Sequence, residues 1–270
     1  MKRVLAFVLV LIISLTVAGC SSGTDSKLAD IQKNKQLVIY TDPNFPPFEI
    51  IGANKEVAGV DIEIGKAIAE ELGVSAKFTE ANFDSILMAI KGGKGDIAIS
   101  GMTITEERKK SVDFSEPYIE SVQYLILRED SSIKVMEDLA GKKVGVAKGY
   151  TGSFLMEDET SVGEDGTEGV LYNQNTELRE YNSAMEAALD LKAKRIDAVV
   201  MDEYVAKNIV TKNTGMVTRE LRYENGDLAA EEYGVVIPKG NEDLVDAINQ
   251  VIQRLVNEDK IREWVVQFSE

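Results

Sequence analysis

One strand-to-helix turn brings together residues that could bind both ends of a free amino acid. Residues 97–100 form an apolar run that predicts a short buried strand, and Gly101 and Thr103 follow within three residues. Thr105 is a favourable N-cap, so Arg108 lies one turn into the predicted helix. A guanidinium binds a carboxylate through two hydrogen bonds, whereas a hydroxyl and a backbone carbonyl suit an ammonium. A surface helix with a solvated arginine has the same short pattern, so the turn alone leaves both interpretations open.

Three other segments place polar residues at the carboxyl ends of predicted strands. These residues are Asp42, Thr151 with Gly152, and Asp202. In open α/β sheets, ligands bind in the crevice outside the carboxyl ends of the strands. The N–H groups of a helix start near Thr151 suit an anion, whereas Asp202 could instead cap a helix that begins at Glu203. Together with the turn at Arg108, these segments predict a single ligand-binding cleft.

Predicted strands and helices alternate along the chain, which indicates an α/β architecture with largely parallel sheets. The apolar patterns predict strands at 37–40, 77–79, 97–100, 143–147, 196–201 and 233–237, with extended chain at 123–127. They predict helices at 60–72, 83–90 and 183–193, and a long helix after Asn241. Residues 157–169 are acidic and contain glycine, so we expect a surface excursion there.

The N-terminus has the features of a secretory signal. A short basic start precedes an apolar run at 4–13, which is too short to span a bilayer comfortably. Residues 15–20 resemble a bacterial lipobox, which ends at Cys20, the only cysteine of the chain. We therefore expect a signal peptide at 1–19, then a lipidated cysteine and tether at 20–35. This predicts a protein anchored by lipid to the extracytoplasmic face of the cell membrane, with an uncleaved membrane anchor as the alternative.

Composition narrows the possible functions. The chain has 270 residues and a net charge of −16, which argues against nucleic acid or an anionic membrane surface as a partner. It contains no histidine, which excludes Ser–His and Cys–His nucleophilic machinery and histidine-ligated metals. We therefore expect no catalytic residue, no cofactor and no metal. The body after the tether is long enough for a sizeable core and two lobes.

Several sequence blocks in order resemble the polar amino-acid-binding family of bacterial extracellular solute-binding proteins (family 3 type). The blocks are residues 40–49, 59–63, 101–108, 113–118, 151–153 and 196–202. Members of this family are the ligand-capturing subunits of ABC importers. The resemblance implies a two-lobe, periplasmic-binding-protein-like (type II) α/β fold with a two-strand hinge. It implies a division into lobe 1 at 36–119 plus 233–270, lobe 2 at 124–228, and hinge crossovers at 120–123 and 229–232.

The resemblance also implies how the backbone groups of an amino acid are held. Arg108 would bind the α-carboxylate together with the backbone N–H groups of Thr103 and Gly152. Asp202, the Thr103 hydroxyl and the Gly101 carbonyl would bind the α-ammonium. Both ends of the amino acid would then be held by charge-assisted hydrogen bonds.

The side chain of the ligand is harder to name from the sequence. By the same resemblance, Phe45 and Phe83 would sandwich it, although core packing is the alternative for both. Asp42 and Lys148 would face its distal end, and an acid beside a base favours a neutral amide such as glutamine. Asp42 alone would favour arginine or lysine, and cystine also stays open. The full set of expected ligand-binding residues is Asp42, Phe45, Phe83, Gly101, Thr103, Arg108, Lys148, Thr151, Gly152 and Asp202.

The expected function is that of a monomeric binding protein and not of an enzyme. The lobes would close around the amino acid, and the closed form would dock on a membrane permease. One alternative is an enzyme on the same fold, dehydratase-like or lytic, with Glu49 or Glu203 as a general acid. Another is a ligand-sensing domain. The absence of histidine makes the enzyme the weaker of these interpretations.

Overall fold

The structure is a computed structural model that describes residues 26–269, so the predicted signal peptide and Cys20 lie outside the described residues. The helices are α1 (Lys27–Asn34), α2 (Val60–Glu71), α3 (Phe83–Lys91), α4 (Glu106–Lys109), α5 (Thr151–Thr160), α6 (Ala184–Lys192), α7 (Glu203–Lys212), α8 (Glu242–Asn257) and α9 (Lys260–Ser269). A short 3₁₀ turn occupies Met136–Leu139. None of the helices between residues 26 and 269 combines the length and the apolar character that crossing a membrane requires.

The strands form two larger sheets and one hairpin. They are β1 (Gln36–Thr41), β2 (Ile50–Ile51), β3 (Val57–Ala58), β4 (Ser75–Glu80), β5 (Ile97–Ala98), β6 (Val112–Phe114), β7 (Ile119–Arg128), β8 (Lys143–Ala147), β9 (Glu177–Tyr181), β10 (Ala198–Asp202), β11 (Met216–Glu220), β12 (Ala230–Tyr233) and β13 (Val236–Pro238). The hairpin pairs β2 with β3.

The first sheet has the strand order β4-β1-β5-β13-β6. Alternate residues of β1 are buried, including Leu37 and Ile39, and both β4 and β5 run parallel to it. Helix α2 packs so closely that a Cβ added to Gly65 would lie 2.8 Å from Ile39 Cδ1. The carboxyl end of β1 leads directly to Asp42, and the end of β5 leads to the turn at Gly101.

The second sheet has the order β11-β7-β10-β8-β9. Its strand β7 is ten residues long and pairs antiparallel with β10 and β11. Strand β8 runs parallel to both β10 and β9. Strands β8 and β10 run in the same direction, so their carboxyl ends lie at the same edge of the sheet. The start of the Thr151 helix and Asp202 therefore both lie at that edge.

Two strands connect the sheets. The first half of β7 pairs antiparallel with β12, with Ser121 opposite Glu231 and Ile119 opposite Tyr233. A further bridge joins Thr103 to Tyr233, and the Ile104 N–H donates to the Glu232 carbonyl at 2.8 Å. The crossovers expected from the sequence lie in this part of the chain. The exact boundaries of the two lobes stay a prediction.

Two expectations from the sequence are wrong in part. The sheets are mixed and not largely parallel, because β7, β12 and β13 run against their neighbours. The chain crosses from the first sheet to the second along β7 and returns along β12. These two crossing strands therefore run antiparallel to each other. The expected excursion at 157–169 is helical up to Thr160, because α5 buries Met156 fully; most of the segment beyond it is exposed.

Candidate functional site

Arg108 is buried where the two sheets meet, with only 6% of its surface exposed. The Thr105 hydroxyl accepts a hydrogen bond from the Arg108 N–H at 3.2 Å, which confirms the predicted N-cap of α4. Arg108 Nη1 donates to the Thr103 carbonyl at 2.7 Å, and Nη2 donates to the Gly149 carbonyl at 3.1 Å. These acceptors are neutral, so they solvate the guanidinium without cancelling its charge. The buried cation therefore favours binding of an anion.

The start of α5 adds N–H groups beside this cation. Thr151 and Gly152 form the first turn, where N–H groups have no partner inside the helix and carry the positive end of its dipole. The hydroxyl oxygens of Thr151 and Thr103 lie 3.4 Å apart, across the two lobes. A Cβ on Gly152 would lie 2.7 Å from Gln123 Oε1, so a side chain there would displace the Gln123 amide.

Asp202 occupies the N-cap position of α7, but its side chain does not cap that helix. Its side chain makes no cap hydrogen bond, and Oδ1 accepts from Gln123 Nε2. The same Gln123 nitrogen lies 3.5 Å from Thr151 Oγ1. Burial and the Glu231 carboxyl raise the pKa of Asp202 well above its usual range, while Gln123 and Arg108 lower it. A cation bound beside Asp202 would stabilise its charged form.

Phe45 and Phe83 flank an aromatic ring, but the ring is that of Tyr150. The Phe83 and Tyr150 centroids lie 4.1 Å apart with planes at 18°, and Phe45 and Tyr150 lie 5.6 Å apart at 29°. We call the space between Phe45 and Phe83 the aromatic slot. Both phenylalanines are buried, and both contact the Tyr150 ring. Tyr150 lies outside the predicted set, although its position between the Gly149 turn and the Thr151 helix start points it towards the cleft.

A cavity of about 300 Å³ adjoins the aromatic slot, and we call it the distal cavity. Asp42 and Lys148 both line it, as do Asp84 and Glu186. Asp42 Oδ2 accepts a hydrogen bond from the Phe83 N–H at 3.0 Å, so this carboxyl also fixes the start of α3. Burial raises the pKa of Asp42. The distal cavity therefore carries three carboxyls and one ammonium.

Gly101 is held from behind by the buried acid Asp61, and a second buried acid, Glu49, lies near Asp61. Its φ of +50° and the 2.1 Å from an added Cβ to Phe45 Cε1 allow only glycine. The Gly101 N–H donates to Asp61 Oδ2 at 2.7 Å. Burial raises the pKa of Asp61 to about 7, and burial together with the Asp61 charge raises that of Glu49 well above its usual range. Glu49, one of the two candidate general acids, is thus fully buried behind the binding turn.

Gln123 and Glu231 are further residues of the cleft that the sequence analysis does not predict. They lie on β7 and β12, and neither strand alternates polar with apolar residues, so no local pattern predicts their shared orientation. Within residues 26–269, the Asp, Glu, Cys and His side chains form no group of three or more that could hold a metal ion. What the cleft offers is a buried cation with free N–H groups, a buried acid, an aromatic slot and a charged distal cavity.

A two-lobe α/β fold with these charged groups between its lobes defines a protein of the type II periplasmic-binding-protein fold. Residues 37–269 match the family of bacterial extracellular solute-binding proteins, family 3, and the chain belongs to that family. It is 32% identical over 247 residues to the L-arginine-binding protein of Pseudomonas aeruginosa, covering 89% of this chain and 90% of the relative. It is 31% identical over 246 residues to the L-cystine-binding protein TcyJ of Escherichia coli, covering 88% and 85%.

The structure also resembles solved members of this fold. An ancestral arginine-binding protein bound to arginine is 37% identical, with a TM-score of 0.75 over 85% of this chain and 98% of the other. An ancestral arginine-binding protein bound to glutamine is also 37% identical, with a TM-score of 0.73 over 85% of this chain and 97% of the other.

Proposed function

We propose that this chain binds a free polar L-amino acid between its lobes and delivers it to the membrane permease of an ABC importer. The observation that carries the proposal is the pairing of opposite charges across one cleft. Arg108 and the start of α5 offer positive charge and N–H donors, and Asp202 offers a buried acid. An amino acid is a zwitterion that matches this pattern, with its carboxylate at Arg108 and its ammonium at Asp202.

Closure of the lobes follows from where these groups lie. Arg108 and Thr103 belong to the part of the chain around the first sheet, whereas Thr151 and Asp202 follow strands of the second. A ligand that contacts all four binds the closed arrangement better than an open one, and this differential affinity drives closure. We infer that the closed, loaded form is the one that a permease recognises.

Arginine is our first candidate for the ligand. The distal cavity contains Asp42, Asp84 and Glu186 against the single ammonium of Lys148, so its charge favours a cationic side chain. The relatives named for L-arginine support this choice. Glutamine, which the sequence analysis favours, is the second candidate, because Lys148 lies beside Asp42 and suits an amide oxygen. Lysine and cystine belong in the same test.

A thermal-shift screen of the full chain, purified in detergent, tests the proposal against the twenty amino acids, cystine and ornithine. A ligand at one hundred times its Kd stabilises a protein by about 2.7 kcal/mol, which raises the Tm by roughly 5–10 °C at this size. We expect such a shift with one or two polar amino acids, and NMR of the bound ligand should show no product. A flat response from the folded protein would contradict the proposal.

Two variants that each remove one charge decide between the candidates. Asp42→Asn keeps an oxygen to accept from the Phe83 N–H, so it removes charge without freeing the start of α3. We expect it to weaken arginine binding about tenfold and to affect glutamine less, since one charge-assisted contact contributes about 1.5–3 kcal/mol. Lys148→Gln should have the opposite order. Equal effects of both variants on both ligands would contradict a role for the distal cavity in selectivity.

We also propose that Cys20 carries the lipid that holds the protein at the membrane. The lipobox-like residues 15–20 support this. Fractionation of cells should find the wild-type chain with membranes and Cys20→Ala in the soluble extracytoplasmic fraction. Retention of the variant in membranes would favour the uncleaved anchor.

A further inference from the structure

Four polar side chains share one face of the second sheet at the cleft. Gln123 lies opposite Asp202 in the pairing of β7 with β10, and Ser121 lies opposite Glu231 in the pairing of β7 with β12. Residues two apart on a strand point to the same face, and directly paired residues point to the face of their partners. All four side chains are buried, with Glu231 8% exposed. The register alone therefore brings the two acids to one patch, on either side of Gln123.

Several oxygen atoms in this patch have no hydrogen-bond partner. They are Gln123 Oε1, Glu231 Oε2 and Ser121 Oγ, all of them buried. The first two only accept hydrogen bonds when the acid is charged, and Asp202 beside them is a further acceptor. Buried acceptors and paired acids of like charge are unfavourable unless a donor, and best a cation, joins them. The patch lacks what an ammonium group supplies: three N–H donors and a positive charge.

We propose that Glu231 is a second acid of the ammonium pocket and binds the α-ammonium of the ligand together with Asp202. This inference rests on the proposed function and adds a residue to the expected set. Glu231 lies on the crossing strand β12, next to the segment that bridges to Thr103 through Tyr233. An ammonium held by Glu231 therefore touches the connection between the lobes as well as Asp202 in the second one.

Charged and titratable groups from each neighbouring element act on this pair. Arg108 of α4 attracts both Asp202 and Glu231, and burial, together with the charges of both acids, raises the pKa of the Tyr233 phenol on β12. Burial and Glu231 raise the pKa of Asp202, so the pair holds a proton more readily in the empty cleft than it would beside a cation. Binding of an ammonium should then lower the pKa of Asp202.

Isothermal titration of the full chain in detergent tests the proposal, with the tightest-binding amino acid of the screen as the probe, beginning with L-arginine. The second probe is the same molecule without its α-amino group, which for arginine is 5-guanidinopentanoic acid. Glu231→Gln keeps the shape and an N–H to bond Asp202 but removes one charge. We expect it to bind the amino acid roughly 10–100-fold more weakly, as loss of one charge-assisted contact predicts, and the deamino analogue unchanged.

Two further variants keep the test decisive. Glu232→Gln removes the same charge from the exposed neighbour on β12, and its affinity should equal that of the wild type. Glu231→Asp keeps the charge and should bind the amino acid more tightly than Glu231→Gln. It keeps the proposal testable if the glutamine variant has a folding defect. Wild-type affinity in Glu231→Gln, or an equal loss for the deamino analogue, would overturn the proposal while leaving amino-acid binding intact. A wild-type chain that binds no amino acid would overturn the proposed function itself.

Discussion

The two ends of the cleft are built in different ways. At the Arg108 end, the partners are backbone carbonyls, the first turn of α5 and residues set by strand register. At the distal end, Asp42, Lys148 and the Tyr150 ring come from loops after strands or before helices. The carboxylate and the ammonium, which every amino acid carries, would thus be bound by helices and strands. The variable side chain would be bound by loops. Loops tolerate change more readily, so such a design lets selectivity vary while the zwitterion clamp is kept.

This comparison has a direct consequence for substitutions. A change at the Arg108 end should weaken the binding of all amino acids by the same factor. A change at the distal end should alter their order of affinity. A variant at the Arg108 end that alters the order of affinity, or one at the distal end that weakens all ligands equally, would contradict this division of roles.

The largest expected effect is that of Arg108→Ala. Micromolar binding corresponds to about 8 kcal/mol, and a guanidinium that makes two charge-assisted hydrogen bonds supplies about 3–6 kcal/mol of it. We expect affinity for every amino acid bound by the wild type to fall at least about 100-fold by calorimetry. Lys109→Ala changes the neighbouring exposed cation, which pairs with Glu106, and should leave binding unchanged. A loss confined to one ligand would contradict the shared clamp.

The second effect concerns Gly101, whose N–H donates to Asp61 and whose Cα faces the Phe45 ring. Gly101→Ala combines a left-handed φ of +50° with a clash against Phe45, so we expect about 2–5 kcal/mol loss of unfolding free energy. Gly93→Ala is the matched control, because its φ is +71° and a Cβ there meets no atom within 4 Å. It should lose only about 1–2 kcal/mol in urea unfolding. Equal losses would show that the contact with Phe45 contributes nothing.

Much of this architecture could be predicted from local patterns. The apolar residues of β1 and β5, the Thr105 cap and the polar residues after strand ends all lie within short windows of sequence. The contacts that remained unpredicted join distant segments. Gln123 and Asp202 are 79 residues apart, and Arg108 and Gly149 are 41 apart. Periodicity indicates which face of a strand is buried, but it does not show which distant strand will pair with it.

The filling of the aromatic slot is the clearest example. The sequence analysis predicts that Phe45 and Phe83 flank a ligand side chain, whereas in the structure they flank Tyr150. The family resemblance implies the role of both phenylalanines, but the neighbour between them depends on how the second lobe approaches the first. No local pattern around Tyr150 carries that information.

Tyr150→Ser should therefore change selectivity at the distal end. Each contact of the Tyr150 ring with a phenylalanine contributes about 0.5–1.5 kcal/mol. A long ligand side chain must break these contacts to enter the aromatic slot. We expect the ratio of affinities for long over short amino acids to rise about tenfold, measured by calorimetry. Tyr172→Ser, in the loop after α5, is the control and should leave the ratio unchanged. An equal change of affinity for long and short ligands would show that Tyr150 acts at the Arg108 end of the cleft and not at the distal end.

The last expected effect is a pH dependence of stability behind the binding turn. Asp61 has a pKa of about 7 in the folded chain against 3.8 as its ordinary value, with Glu49 and the Tyr118 hydroxyl beside it. The folded state therefore holds more protons than the unfolded state between pH 4 and 7, so this contribution to stability is complete below pH 4 and is lost as the pH rises towards 7.

Asp61→Asn removes that proton while its amide oxygen can still accept from the Gly101 N–H. Its unfolding free energy should fall less than that of the wild type between pH 4.5 and about 7.5 in urea titrations, since a raised carboxyl pKa no longer contributes. Asp165→Asn is the control. Its exposed carboxyl has a lowered pKa from contacts with Thr167, so its contribution is lost only as the pH falls, and the wild-type slope above pH 4.5 should persist. If Asp61→Asn also keeps that slope, the proton lies on Glu49, and the support of the Gly101 turn is independent of pH at Asp61.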